Sequence, residues 1–293
     1  MKVFLTGATG YIGTAIAAHL IRAGHSVSGL ARSHDAEHKL LAAGVEPIRG
    51  DLNDAALAGI AAGHADAVIH TAKSWNAGTA ALDENAVRSM MTSLRRSKKP
   101  FVYTSGTWVI GDTRGRVAGE MAVLRPPEVV AWLPAMEKLV LNAAENGVDG
   151  IVIRPAMVYG RGGGFIAGLV KQAKTDRLIR IVGTGENHSS FVHVDALADL
   201  YLRAVEQAPR GELFLAADGP AFTTRTVAET VAAMHDARVE LIPLEEARRS
   251  MGPIADALVM DQRIMSTKAG RLLGWGIKTP SVLEEIRTGS YSN

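Results

Sequence analysis

Glycines stand at positions 7, 10 and 13, inside the run Thr6-Gly7-Ala8-Thr9-Gly10-Tyr11-Ile12-Gly13. The run follows a short apolar segment of strand type, Lys2–Thr6, and opens a helical pattern over 11–23. In that order each glycine has its own task. Gly7 lets the chain turn sharply, Gly10 leaves no side chain where backbone must approach a pyrophosphate, and Gly13 lets helix pack on strand. The free N–H groups and the positive dipole end of the helix suit phosphate oxygens. Thr9, Tyr11 and Ile12 complete the loop and open the helix, so they join the glycines as candidate cofactor-binding residues. The chemistry implied is dinucleotide binding.

A second group bears on which dinucleotide. An acidic residue near the end of the second strand usually holds the ribose 2′-hydroxyl of NAD. Here Ala31 takes that place, and Arg32, Ser33 and His34 follow. A guanidinium offers fixed bidentate donors and a full charge, which suit a 2′-phosphate. NADP is therefore the expected cofactor and NAD the second choice, with Arg32 and Ser33 as its contacts. The alternative for Arg32 is a solvated charge at a strand end.

Other polar groups suggest less. His188 and His193 are five apart with no carboxylate ligand set nearby, so no metal site is expected. Arg95, Arg96, Lys98 and Lys99 close a helix just before a strand, where cations complement the negative helix end. They read as a solvated terminus, and no nucleic-acid partner is expected.

These residues need elements to hold them. Lys2–Thr6, His25–Ala31, Val45–Arg49, Ala65–His70, Phe101–Ser105 and Gly150–Arg154 read as strands, and 11–23, 35–43, 53–62, 80–97 and 135–147 as helices. After about residue 155 come a Gly-rich loop and scattered strands near 179–183, 190–194 and 212–216, then mostly helix. Strand–helix alternation with apolar strands predicts an α/β fold: a Rossmann-type, doubly wound parallel sheet covered on both faces. Residues 1–155 form the expected dinucleotide-binding domain, with 190–215 returning to it. Residues 156–189 and 216–293 form a smaller, mainly helical substrate lobe.

Further pieces follow in order. They are Gly50-Asp51-Leu52, Val68-Ile69-His70-Thr71-Ala72, Tyr103-Thr104-Ser105-Gly106, Arg154-Pro155-Ala156-Met157-Val158-Tyr159-Gly160 and Phe191-Val192-His193-Val194-Asp195. As an ordered set, with the Gly-x-x-Gly-x-x-Gly loop, they resemble the extended short-chain dehydrogenase/reductase superfamily, of the NAD-dependent epimerase/dehydratase kind. The resemblance runs from residue 1 to about 205 and weakly on to Leu273-Gly274-Trp275. It implies that Asp51 receives the adenine amino group, Leu52 packs on adenine and Ala72 lines the cofactor trough, with Pro155 and Val158 also bordering the cofactor.

The resemblance breaks at the catalytic pair. The superfamily uses Tyr-x-x-x-Lys on the helix after the fifth strand, where the lysine binds the cofactor ribose and lowers the tyrosine pKa. Lys138 fits the lysine, but Pro134 stands where the tyrosine would be. The hydroxyl position after the fifth strand falls on Gly106, which leaves Ser105 and Thr107 as substitutes. Tyr159 is a further candidate for the substrate oxygen, with a purely structural role as its alternative.

Composition sets the outer limits. The 293 residues carry 32 Lys plus Arg against 30 Asp plus Glu, 47% hydrophobic residues and no cysteine. Disulfides, thiolate metal sites and a cysteine nucleophile are excluded. No apolar stretch is long enough to span a bilayer, and the N-terminal run is too short for a signal peptide. A cytoplasmic location and no membrane partner are expected. A homodimer is the commonest symmetric assembly for such a chain.

The expected activity is an NADP(H)-dependent oxidoreductase with altered acid/base residues. Its small-molecule substrate would be an apolar or aromatic carbonyl or enone, met by Trp75, Trp108, Trp132, Met121 and Phe165. The alternatives are a regulatory NADP(H)-binding redox sensor with reduced turnover, and a sugar-type epimerase or dehydratase.

Overall fold

The first five apolar runs become parallel strands β1 (Lys2–Thr6), β2 (Ser26–Ala31), β3 (Glu46–Arg49), β4 (Ala67–His70) and β5 (Pro100–Thr104) in the computed structural model, which describes residues 1–73 and 78–292. They join Asp149–Pro155 and Glu212–Ala216 in a seven-stranded sheet. Its order is Glu212–Ala216, Asp149–Pro155, β5, β4, β1, β2, β3. Every residue of β4 and of β5 is buried. Without alternation, both strands must lie mid-sheet with both faces covered. Glu-Pro-Ile-Arg of β3 is exposed at both ends and lies at the sheet edge, where its proline costs no ladder bond that the sheet needs.

Helices α1 (Tyr11–Arg22), α2 (His34–Ala42), α3 (Ala55–His64), α4 (Thr79–Ser93) and α5 (Leu133–Leu141) alternate with the strands. Two have side-chain caps: the Ser33 hydroxyl accepts the Ala36 N–H at 3.2 Å, and the Asp54 carboxylate accepts that of Leu57 at 2.9 Å. Pro134 lies in the first turn of α5, where a missing N–H is harmless. The helix expected over 135–147 stops at Leu141. It tightens into a 3-10 turn over Asn142–Asn146, which Gly147 ends in the left-handed region.

The chain divides into two compact units. The first holds Met1–Ser105, Trp132–Ile153 and Leu197–Phe214; the second holds Gly106–Ala131, Arg154–Ala196 and Leu215–Asn293. The segment 106–131, read from sequence as part of the dinucleotide domain, thus belongs to the second unit. That unit holds the strands expected near 179–183 and 190–194, and further short strands, some where mostly helix is expected. His188–His193 pairs parallel with Met157–Tyr159 and antiparallel with Asp218–Thr223. Leu178–Val182 pairs with Arg238–Ile242, and Val117–Ala118 with Arg263–Ile264. Tyr159, Ile166, Leu169, Phe191, Val227 and Val231 centre its core. Asp195 lies in the first turn of helix Val194–Gln207 and pairs with Arg161 at 2.5 Å. Among the described residues no helix is long and apolar enough to cross a membrane.

Candidate cofactor site

After β3, at one edge, the chain crosses to β4 on the far side of β1. This reversal of strand order leaves a crevice beyond the carboxyl ends of β1 and β4, the place where open α/β sheets take ligands. A cavity of about 320 Å³ lies there, within the first unit. Its floor is Gly7, Thr9 and Gly10. Leu30, Arg32, Asp51 and Leu52 line one side, and Thr71, Ala72, Lys73 and Asp83 the other.

The glycine loop is built for close approach. Gly7 has φ +74°, and a methyl group on it would lie 2.8 Å from the Ala72 nitrogen. A methyl group on Gly13 would come within 2.1 Å of the Gly7 carbonyl oxygen, so α1 could not seat against the loop. Gly10 differs: its φ of −82° suits any residue, and an added methyl group would meet only the Gly7 carbonyl, at 3.1 Å. A methyl group there therefore needs the Gly7 carbonyl to give by a few tenths of an ångström, a smaller demand than at Gly7 or Gly13. The bareness of Gly10 matters toward the cavity that it lines.

Next to the loop lies a buried polar network. Ala72 N–H donates to the Thr6 hydroxyl at 3.4 Å, and that hydroxyl donates to His70 Nδ1 at 2.8 Å. His70 Nε2 donates to Asp83 at 2.8 Å. The other Asp83 oxygen accepts from Lys73 Nζ at 3.0 Å, from Trp132 Nε1 at 3.3 Å and from the Tyr103 hydroxyl. Lys73 Nζ also donates to the Tyr103 oxygen at 2.6 Å. The β4–β5 register sets His70 beside Tyr103, and their rings stack with centroids 5.8 Å apart. The Asp83 side chain is 3% exposed and that of Lys73 15%.

Burial opposes the charge on Asp83, but the hydrogen bond from His70, with the Lys73 ammonium and the Tyr103 hydroxyl, outweighs it. They hold the carboxyl below the usual carboxylate range. Burial lowers His70 despite the adjacent carboxylate, which keeps it a neutral imidazole with its proton on Nε2. Burial also lowers Lys73, and Asp83 opposes that shift. Tyr103 is pushed up by burial and by Asp83, so its phenol stays protonated.

Gly7, Thr9, Gly10, Arg32, Asp51, Leu52 and Ala72 all line the cavity. Asp51 also turns its own loop by accepting the Asn53 N–H at 2.7 Å. Tyr11, Ile12 and Gly13 form the first turn of α1, and Ser33 spends its hydroxyl on capping α2. Lys138 is exposed on α5 and is not among the lining residues, whereas its neighbour Glu137 is buried and electrostatically close to Lys73 and Tyr103. Ser105 follows β5 directly; its buried hydroxyl has no hydrogen-bond partner among the described residues, and like Lys138 it is not among the residues that line the cavity.

Thr107, Pro155, Tyr159 and Val158 belong to the second unit. Thr107 is buried in a 3-10 turn, and Tyr159 is fully buried with its hydroxyl donating to the Pro280 carbonyl at 2.6 Å and to Asp218 at 3.2 Å. That phenol braces a core. Of the apolar residues expected to meet substrate, Trp132 donates into the Asp83 network, Phe165 packs on the second unit's core and Met121 is 96% exposed. Trp108 is half-buried, and Trp75 lies outside the described residues.

Sequence reasoning missed Lys73 and Asp83. A signal existed: Asp83, Ala86, Val87 and Met90 share the buried stripe of α4, and an acid on such a stripe calls for a buried partner.

Known proteins show the same arrangement of elements. Residues 3–217 match the NAD dependent epimerase/dehydratase family. An uncharacterized Saccharomyces cerevisiae protein is 30% identical over 303 residues, which is 100% of this chain and 99% of that one. A Stigmatella aurantiaca enzyme, the ketoreductase of 4-hydroxy-2-methyl-3-oxo-4-farnesyl-3,4-dihydroquinoline-1-oxide, is 28% identical over 85% of this chain and 78% of its own. The solved dTDP-glucose 4,6-dehydratase of Bacillus anthracis, in complex with NAD, superposes with a TM-score of 0.81 at 14% identity. The match covers 99% of this chain and 94% of that one, and it shows the shared fold.

Proposed function

Because the chain belongs to the NAD-dependent epimerase/dehydratase family, we propose that it is an NADP(H)-dependent oxidoreductase acting on a small apolar or aromatic carbonyl or enone. The observation that carries the cofactor reading is Arg32, a guanidinium on the cavity wall at the end of β2 where an NAD site would offer a carboxylate. When bound, the nicotinamide supplies or takes the hydride. The chain's own residues do the rest. Gly7, Thr9 and Gly10 receive the pyrophosphate, Arg32 the 2′-phosphate, and Asp51 with Leu52 the adenine.

This reading gives the substrate oxygen to Ser105, whose hydroxyl lies buried off the cavity and would have to be uncovered by the ligand. A buried hydroxyl without a partner costs about 1–3 kcal/mol, and a ligand oxygen accepting its proton would recover that. The ketoreductase relative supports a ketone on an apolar frame. The test is nicotinamide absorbance with NADPH and a panel of aldehydes, ketones and enones. Turnover of any member supports the reading.

A second reading rests on Pro134, which begins α5 where the superfamily's tyrosine would stand. It makes the protein an NADP(H)-binding sensor with little turnover. Tight binding with no oxidation across the whole panel would favour it.

A further inference from the structure

We propose that Lys73 binds the nicotinamide-nucleotide half of the dinucleotide, through its phosphate or ribose oxygens, with Asp83 and Tyr103 holding the ammonium in place. The inference rests on the dinucleotide reading above and deepens it.

Two observations carry it. The first is place. In a doubly wound sheet the two halves of the fold take the two nucleotides across the reversal in strand order. The strands β1–β3 and their loops provide the adenosine side, with Arg32, Asp51 and Leu52 on the cavity wall. Lys73 stands three residues beyond the end of β4, the first strand of the other half, and lines the opposite wall of the same cavity. Ala72, which precedes it, lies against Gly7 of the pyrophosphate loop.

The second observation is the state of the ammonium. It carries three N–H groups. Among the described residues, Asp83 takes one at 3.0 Å and Tyr103 a second at 2.6 Å. One proton is left for a ligand. The carboxylate that balances the charge lies behind it, less exposed than the lysine itself. Asp83 is in turn fixed by His70, Trp132 and Tyr103, so the lysine is oriented before any ligand arrives. An ammonium held this way offers a point charge and a directed donor, which suit phosphate and ribose oxygens. Arg32 at one end and Lys73 at the other then bracket the dinucleotide.

The test compares a whole dinucleotide with its adenosine fragment on Lys73→Met. Methionine keeps the apolar stem, and Asp83 keeps three other donors, so the fold should persist. Calorimetry would measure the tighter binder of NADPH and NADH. Its counterpart would be the matching fragment without the nicotinamide nucleotide, adenosine 2′,5′-bisphosphate or 5′-AMP.

Loss of one charge-assisted bond predicts a ten- to hundredfold weaker dinucleotide, with the fragment changed less than about twofold. Equal affinity of parent and variant for the dinucleotide would overturn the assignment, as would equal losses for dinucleotide and fragment. Lys73→Arg, which keeps the charge, provides the same reading should the methionine variant fail to fold: it should bind the fragment normally and the dinucleotide more weakly than the parent. A parent that binds neither NADPH nor NADH would defeat the proposed function itself. A binding parent with an indifferent Lys73→Met would defeat only this inference.

Discussion

Replacing Asp83 with asparagine would remove the negative charge toward which Lys73, Tyr103, His70 and Trp132 all donate. The amide oxygen can still accept a proton, but no amide balances an ammonium. Lys73, only 15% of whose side chain meets solvent, would lose the main group that opposes its lowering by burial. It must then either hold an unbalanced charge or give up its proton, and both cost stability. Removing one partner of a buried ion pair typically costs about 3–5 kcal/mol, and Asp83→Asn should lose that much in urea unfolding followed by circular dichroism.

The cause can be isolated with Lys73→Met. In the double variant the stranded ammonium is gone, so stability should recover by roughly half of the single-variant loss, a coupling of the size expected for contacting charges. pH provides an independent check. Asp83 ionises below its ordinary value of 3.8, so its contribution is complete above that pH and lost as pH falls below it. The parent should therefore lose stability on acidification below about pH 4 more steeply than Asp83→Asn. A loss under about 1 kcal/mol, or a double variant no better than the single, would refute a charge-bearing network.

Three further outcomes follow from the same geometry. Gly10→Ala should fold as the parent does, since its methyl group meets only one carbonyl at 3.1 Å, yet bind NADPH more weakly by calorimetry; unchanged binding would move the pyrophosphate elsewhere. Lys138→Ala, at an exposed position off the cavity, should leave dinucleotide affinity within about twofold. A tenfold loss would instead seat that lysine on the ribose, as the family resemblance implies. Asp218 is raised by burial to about 6, against hydrogen bonds from the His193 N–H and Tyr159 that favour its charge. The folded chain thus holds a proton that the unfolded chain has lost, and stability should fall as pH rises from about 4 to 6. Asp218→Asn, which can still accept from Tyr159 and the His193 N–H, should flatten that slope in thermal unfolding; an unchanged slope would assign it to other groups.

What was legible in the sequence was what is local. The glycine loop, its strand and its helix lie within Lys2–Arg22, so spacing alone placed Gly7, Gly10 and Gly13. Central strands were legible because unbroken apolar runs such as Ala67–His70 can be satisfied only mid-sheet. Arg32 and Asp51 could be placed because each lies within two residues of a strand end, Ala31 of β2 and Arg49 of β3. The Asp83 network was not legible, since it depends on the β4–β5 register and on α4 folding back over both. Ten positions separate Lys73 from Asp83, and no periodicity links them. The second unit was misjudged for a related reason. The strands near 179–183 and 190–194 were legible and appear as Leu178–Val182 and His188–His193. Val117–Ala118 and Arg263–Ile264, by contrast, are two residues long and pair with each other across the sequence, so no local pattern announced them.

The proposed dinucleotide site would select its cofactor through Arg32. The most direct measurement is the pair of dissociation constants for NADPH and NADH, on the parent and on Arg32→Ala. One charge-assisted contact to phosphate is worth about 1.5–3 kcal/mol, so the parent should bind NADPH at least tenfold more tightly than NADH. Arg32→Ala should lose that preference while binding NADH as the parent does. Equal affinities in the parent, or a preference that survives in Arg32→Ala, would contradict the account.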